Sequence, residues 1–367
     1  MILSEAANRL TGQPMFKLMD EIRRREAAGQ DFVHFEIGDP DFNSPLIAKA
    51  QLVDAMIKNK THYSSSQGLL ALREEIADFH GRINNFTKPI KASQVVIAPG
   101  CNPLIYAVLK CICAQGLTVG VPDPGFPTYE SICNLLNLPR VYQEIGDVHI
   151  INSPSNPKGY VECYGTLKTF AKIANLYNHF IVSDEIYQLV TYNGSPAPSI
   201  SAFDQEFKNT AVISGYSKAF SMAGWRIGYM ISNEELCEKV TLLLQSIISA
   251  TCTFTQHACL GLLKQFPQEY FENMEELRKR RDLLVNGLNS IHGVSCPMPE
   301  GATYVFPNIQ ETGRNSSEVT QLLLDCGVAV LPGSDFGSAG EGHIRLAYCT
   351  SQEKIKQGIE RIKKALS

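Results

Sequence analysis

The stretch GYSKAFSMAGWRIGYM, Gly215 to Met230, carries two charges, Lys218 and Arg226, with only uncharged residues between them. Lysine and arginine are usually solvated, so a pair set in such a run needs partners or serves chemistry. A lysine among apolar neighbours can act as an amine nucleophile toward a carbonyl. An arginine suits a bidentate phosphate contact. Other polar groups end apolar runs. Gly100, Cys101 and Asn102 follow QVVIAP and lead into a helical pattern, so the amides of that turn could cradle a phosphate. Asn152 and Asn156 lie in INSPSNPKG, a loop stiffened by its prolines. Asp184, Glu185 and Tyr187 close FIVSDEIY, and an aspartate leaving a run of Phe, Ile and Val is costly unless a cation or donor meets it. Phe126 and Tyr129 in VPDPGFPTYE offer an aromatic face. Each feature also has a plainer alternative: a snorkelling lysine, simple turns at Gly100 and the Asn-Pro steps, a helix cap at Asp184, and core packing for the aromatic pair.

Taken together, these residues supply an amine, a carboxylate, a phosphate-binding turn, an aromatic plate and an arginine. An aldehyde cofactor with a phosphate and a pyridine ring uses all of them. They must be held at one edge of a sheet, since ligands of open α/β sheets bind beyond the carboxyl ends of the strands. The pattern supports this. Strands QVVIAP, LTVGVP, VHIINSP, FIVSDEIY and AVISGYS alternate with helices such as NPLIYAVLKCICAQ, PTYESICNLLNL and TLKTFAKIANLYN. Several strands are nearly continuous apolar runs, as expected where both faces are covered, which predicts a mostly parallel α/β sheet. One detail resists that scheme. Only Gly146 and Asp147 separate VYQEI from VHIINSP, too few for a crossover between neighbouring parallel strands. An antiparallel hairpin, or one segment outside the sheet, is expected there. Beyond it, one long charged helix, EYFENMEELRKRRDLLVNGLNSI, precedes short strands ATYVFPNI and HIRLAYC and two more helices. This reads as a smaller α+β domain, which the N-terminal helix LMDEIRRREAAG is expected to join.

The remaining bulk properties narrow the partners. Of 367 residues, 33 are basic and 37 acidic, giving a net charge of -4 with no basic tail. Nothing electrostatic points to nucleic acid or an anionic membrane. The N-terminus does not read as a signal peptide, and no apolar run is long enough to span a bilayer. The 11 cysteines look like buried thiols of a reducing compartment, and the cytoplasm is expected. Cys111 and Cys113 lack zinc spacing, so no metal is expected.

On these residues the chain resembles the fold-type I pyridoxal-phosphate enzymes, specifically the class I/II aminotransferases of the aspartate aminotransferase superfamily. GYSKAFSMAGWRIG resembles the family's cofactor-lysine signature, and FEIGDPDF, YSSSQGLLALRE, NSPSNPKG, SDEIY and GHIRLAY add to the likeness along nearly the whole chain. The resemblance implies a three-layer α/β fold with a mostly parallel central sheet and a smaller α+β domain. It implies a large cofactor-binding domain at 45–255, a small domain at 256–367, and an N-terminal segment at 1–44 packing with the small domain and substrate site. The implied activity is pyridoxal-phosphate-dependent transfer of an amino group between an L-amino acid and a 2-oxo acid, ping-pong through a Lys218 aldimine. By the same resemblance Asp184 would pair with the pyridine nitrogen, Tyr187 and Asn156 with the ring's 3-oxygen, and Phe126 would stack on the ring. Cys101, Asn102, Ser217 and Arg226 would hold the phosphate. Tyr63 would reach the phosphate of a neighbouring subunit, implying a homodimer with shared sites. Arg345 would bind the substrate carboxylate, helped by Gly38 and Asn156.

The chain departs from the family pattern in several places. Gly215 stands where some members use a serine on the phosphate, Lys158 where threonine is usual, Asn102 where some dicarboxylate-specific relatives have a basic residue, and the crossover through VYQEIGDVHII is short. Rival readings are a β-lyase or decarboxylase on the same scaffold, where the pose of the substrate decides which Cα bond breaks; a non-catalytic relative, which would have lost Lys218 or Asp184; and a nucleotide-binding Rossmann protein, whose Gly-rich fingerprint is missing.

Overall fold

The computed structural model describes residues 4–9, 12, 14–114, 116–142 and 146–366. In chain order, α1 (Glu5–Asn8), α2 (Pro14–Ala27) and β1 (Val33–His34) lead to α3 (Leu46–Ile57) and α4 (Leu70–Ile83). Then follow β2 (Val95–Ala98), α5 (Cys101–Ile112), β3 (Val119–Val121), α6 (Thr128–Leu136), β4 (Arg140–Tyr142), β5 (Val148–Asn152), α7 (Tyr164–Tyr177), β6 (Phe180–Asp184), β7 (Thr210–Gly215) and β8 (Gly228–Ile231). The rest comprises α8 (Glu234–Ile248), α9 (Thr253–Cys259), α10 (Gln268–Asn289), β9 (Tyr304–Val305), α11 (Ser316–Asp325), β10 (Val328–Ala329), β11 (Leu331–Pro332), β12 (Ile344–Ala347) and α12 (Gln352–Leu366).

The central sheet has seven strands in the order β2-β8-β7-β6-β5-β3-β4. Its pairs are parallel except those made by β8, which runs antiparallel to both β2 and β7. The near-continuous apolar runs follow from burial on both faces. Val95, Ile97, Ile181, Val212 and Tyr229 point to one core with α4 and α7, where Leu72, Ile76 and Leu167 meet them. Their neighbours Val96, Ala98, Val182, Ala211, Ile213 and Met230 point to the other, against Leu104 and Val108 of α5, Ile132 of α6 and Val240 of α8. Each Val, Leu, Ile or Met among them contributes about 1.5–3 kcal/mol on burial, so the α/β/α layering rests on apolar alternation through all the central strands. The strand β8 is not apparent in the sequence pattern, because GWRIGYM begins in small and charged residues. It turns the Lys218–Arg226 segment into the connection between two antiparallel neighbours, with Gly215 opposite Gly228.

The short crossover takes neither of the two forms expected for it. Both segments are sheet strands, and both run parallel to β3: β4 on one side, β5 on the other. They are not each other's neighbours, so no long crossover is required. Residues 143–145 of VYQEI lie outside the described residues. Where the chain returns, Gly146 passes against the backbone of β3, and a Cβ on it would lie 2.5 Å from Gly120 N and 2.9 Å from Thr118 O. Asp147 Oδ2 then accepts hydrogen bonds from both the amide and the hydroxyl of Thr118, each 2.7 Å. These bonds, the amide first, hold its carboxyl below the usual carboxylate range.

The C-terminal third forms small sheets, β11-β12-β9 antiparallel and β1-β10 parallel. The second draws the N-terminal segment in, and Ile22 of α2 with Phe32 packs on Leu324 and Ala329. Arg25 Nη1 adds an ion pair to Asp325 at 2.8 Å. All eleven cysteines are free thiols, but Cys111, Cys163, Cys252 and Cys326 are exposed, which corrects the expectation of uniformly buried thiols. Among the described residues no helix is long and apolar enough to cross a membrane.

Replacing Gly146 by alanine sets a methyl group against fixed backbone rather than a yielding side chain. The variant Gly146→Ala is expected to lose about 2–3 kcal/mol of stability, read as a lower midpoint in urea denaturation.

Candidate active site

The carboxyl ends of β5, β6 and β7 place Asn152, Asp184 and Gly215 at one edge of the sheet. A cavity of about 560 Å³ opens there, lined by Gly38, Cys101, Asn102, Phe126, Asn156, Asp184, Tyr187, Ser217, Lys218, Arg226 and Arg345. Thus every candidate site residue but Tyr63 faces one space. Tyr63 lies outside it, 87% exposed beyond α3. Lys158 is also exposed and lies outside the cavity lining.

One end of the cavity is a cradle of donors. Cys101 and Asn102 open α5, where the first amides of a helix have no intrahelical acceptor and carry the positive end of its dipole. Gly100 precedes them with φ +98°, and a Cβ on it would stand 2.5 Å from Arg226 Nη2. Arg226 itself is left-handed at φ 55° and donates to Ala223 O at 2.7 Å and Pro99 O at 3.4 Å. Of its five N–H donors, these account for two. The Gly215 departure has a steric reason. A Cβ at Gly215 would lie 3.0 Å from both Gly228 Cα and Ile227 O, and one at Gly228 would lie 2.8 Å from Gly100 C. Glycine at these positions lets β7, β8 and the turn before α5 close on one another.

The floor of the cavity is Asp184, only 4% exposed. Burial pushes its carboxyl up to about 6, against the pull of the Tyr129 hydroxyl, the Ile186 amide and the Lys218 charge. Tyr129 donates to Oδ2 at 2.7 Å and the Ile186 amide to Oδ1 at 3.2 Å. The helix-cap alternative for Asp184 therefore does not apply, since Ile186 begins a turn. Asn152 staples the neighbouring loop, donating to Asp184 O at 3.1 Å and accepting from the Asn156 amide at 2.8 Å.

Opposite lies a cationic end. Lys218 Nζ does not reach out to solvent but donates to Gly38 O at 2.6 Å. Arg345, 2% exposed, donates to the Glu36 carbonyl and to Asn156 Oδ1 at 3.4 Å. Its guanidinium lies 4.5 Å from the Tyr304 ring centroid and 5.1 Å from that of Phe336. Its Nε is buried without a partner among the described residues, which an incoming acceptor would satisfy. Tyr187 and Tyr304 share a 2.6 Å hydrogen bond between hydroxyls. Sequence reasoning missed Tyr129 as the partner of Asp184, and Tyr304 and Glu36 as the surroundings of Arg345. Nothing local distinguishes them, since the contacts join residues 55 to 309 positions apart.

The residues present fit pyridoxal phosphate. A cradle that a single Cβ would fill, bearing helix amides, a serine and an arginine, suits a phosphate. A buried carboxylate with one hydroxyl and one amide suits a cationic ring N–H, and the Lys218 amine lines the same cavity.

The family model for class I and II aminotransferases matches residues 30–147 and 143–362, its two stretches meeting at the short crossover. A (5-formylfuran-3-yl)methyl phosphate transaminase of Methanocaldococcus jannaschii is 34% identical over 380 residues, covering 98% of this chain and 99% of its own. An aspartate aminotransferase of Pyrococcus abyssi is 34% identical over 369 residues, 93% of each chain. The solved aspartate aminotransferase of Thermus thermophilus with maleate covers 100% of both chains, with a TM-score of 0.93 at 27% identity.

Because the Tyr129 hydroxyl lowers the Asp184 carboxyl against the effect of burial, Tyr129→Phe is expected to raise it above about 6. Cofactor affinity of the apoprotein falls as Asp184 takes up a proton. The acid midpoint of that fall, measured by pyridoxal phosphate titration between pH 5 and 8, is expected to move upward in the variant by about 1 unit.

Proposed function

The chain belongs to the class I and II aminotransferase family and is a pyridoxal-phosphate-dependent aminotransferase; we propose that Lys218, Asp184 and Arg345 carry its transfer of an amino group between an L-amino acid and a 2-oxo acid. The observation that supports this reading is the convergence of amine, buried carboxylate and buried guanidinium on one cavity.

Bound pyridoxal phosphate supplies an aldehyde that takes up an amino group and a cationic ring that draws electrons from the substrate Cα. The chain's own residues do the rest. The amides of Cys101 and Asn102, the Ser217 hydroxyl and Arg226 would hold the phosphate, and Phe126 would cover the ring. Asp184 would keep the ring nitrogen protonated, since its buried ionised form gains most from a cation. Tyr187 and Asn156 would donate to the 3-oxygen. Arg345 takes the α-carboxylate as a fork, the geometry for which arginine is suited. With the cofactor bound, Lys218 Nζ would anchor it through its aldehyde carbon and, once released by the substrate amine, would take the proton from substrate Cα. With water supplying the carbonyl oxygen, the first substrate would leave as an oxo acid and its nitrogen would stay on the cofactor, to be carried away by a second oxo acid as the same residues work in reverse. This is a ping-pong cycle.

The same reading includes a homodimer with shared sites. Leu46, Val53, Met56 and Ile57 of α3, with Tyr63 beyond it, are large apolar or aromatic side chains left exposed, the kind of surface an interface covers. A partner covering this face would bring Tyr63 to the other site's phosphate.

Two experiments test these assignments. Lys218→Ala is expected to lose the borohydride-reducible bond to the cofactor and to lower kcat by about 10⁴-fold. Labelling of a different lysine, or release of ammonia or carbon dioxide in place of stoichiometric amine transfer, would overturn the assignment. For the shared site, mixing Lys218→Ala with Tyr63→Ala after dissociation and reassociation is expected to restore about a quarter of wild-type activity, through heterodimers with one intact site. No recovery would rule out the shared site, and full activity of Tyr63→Ala by itself would place Tyr63 outside the site.

A further inference from the structure

Tyr304 lies where the groups assigned above meet, and the transfer reading gives it no task. It stands in β9, antiparallel to the β12 that carries Arg345. The guanidinium carbon of Arg345 lies 4.5 Å from the centroid of its ring. The same ring meets that of Tyr187 edge-on, with centroids 5.7 Å apart. Its hydroxyl packs so closely on Gly38 that no side chain fits there, and Gly38 supplies the carbonyl that Lys218 reaches. Both tyrosines are only 3% exposed.

The two hydroxyls share one hydrogen bond of 2.6 Å, and neither has another partner among the described residues. Each hydroxyl carries a single proton, so the bond runs in one of two directions. If Tyr187 donates, its proton is turned away from the cavity and the Tyr304 proton is left buried without an acceptor, which is costly. If Tyr304 donates, the Tyr187 proton is free to point into the cavity, and one acceptor there completes both hydroxyls. The surroundings favour the second direction. The Arg345 cation over the Tyr304 ring draws electrons from that phenol and makes it the stronger donor. Burial, and the Tyr304 hydroxyl after it, hold the Tyr187 hydroxyl above the usual tyrosine range, so Tyr187 keeps a proton to give. The other titratable groups facing the pair are Lys218, Tyr129 of α6 and Cys349 beyond β12. Burial holds Tyr129 above the usual tyrosine range and pushes the Cys349 thiol up to about 11, so neither changes charge near neutrality.

We propose that Tyr304 is a positioning residue: by donating to Tyr187 it turns the Tyr187 hydroxyl into the cavity, where Tyr187 gives its own proton to the ring's 3-oxygen. Donors in one line polarise one another, so the first bond also strengthens the second. The inference rests on the transfer reading above, because it takes the 3-oxygen as the acceptor for Tyr187.

The test reads the absorbance of the bound cofactor rather than turnover. That absorbance changes when the nitrogen bonded to Lys218 loses its proton. A donor on the 3-oxygen favours the deprotonated form and lowers the midpoint of the change. The holoenzyme is titrated from about pH 5 to 10 as wild type, Tyr304→Phe, Tyr187→Phe and the double variant. Phenylalanine keeps the ring that packs on Arg345 and Gly38, and a cooperative urea transition checks that each variant folds. In Tyr304→Phe the midpoint is expected to rise by about 0.5–1 unit. In the Tyr187→Phe background the same substitution is expected to move it by less than about 0.2 unit. A fall in Tyr304→Phe shows that Tyr187 had been donating to Tyr304, and overturns the proposal, as does an unchanged midpoint. An equal rise in both backgrounds overturns it too, because Tyr304 then acts without Tyr187. Each of these results leaves the transfer reading standing. Absence of any lysine-bound absorbance in the wild-type protein overturns that reading, and this inference with it.

Discussion

A carboxyl group buried at the end of β6 is the constraint around which the rest is arranged. Asp184 closes a strand whose other residues exist to be hidden, and burial pushes it toward neutrality. Two donors, the Tyr129 hydroxyl and the Ile186 amide, restrain that effect without cancelling it. A group in this position gains most from a permanent cation set against it. The sheet, with its long apolar strands covered on both faces, is what makes the position so dry. The same burial that stabilises the fold thus creates the demand that a charged ring would satisfy.

The cationic end answers a different constraint. Arg345 and Lys218 each donate to a carbonyl of the short segment Glu36–Gly38. That segment is held at its start by the parallel pairing of β1 with β10. Gly38 lies so close to the Tyr304 hydroxyl that no side chain fits there, and Tyr304 in turn bonds Tyr187. Backbone from the N-terminal part of the chain, aromatic hydroxyls from two other parts, and one buried and one half-buried cation therefore form one connected set. Within it Arg345 Nε alone of the guanidinium nitrogens has no partner among the described residues.

Much of this was legible in the sequence, for identifiable reasons. Strands covered on both faces announce themselves as apolar runs, and the residues that end them are forced to the sheet edge. That is why Asp184, Asn156, Cys101 and Lys218 could be placed together before any geometry was known. The strand β8 was hidden because its first residues belong to the lysine-bearing segment and are small for a steric reason, the closeness of Gly228 to Gly215 and Gly100. The crossover misled because the spacing rule applies to neighbours, and β4 and β5 are separated by β3. Tyr129 and Tyr304 gave no signal, since each acquires its meaning from a residue far away in the chain.

The glycines at 100, 215 and 228 have a consequence beyond letting strands approach. They tie the phosphate end of the cavity to the interior of the sheet, where any displacement would disturb packing on both faces. Much of the opposite lining is drawn instead from Met15, Phe16, Met19, Ile37, Tyr304 and Arg345, outside that sheet. The molecule therefore keeps separate accounts of what it holds permanently and what it admits. Substitutions in the second set can change its diet while the anchor stays where it is, a division that makes new preferences reachable in few steps.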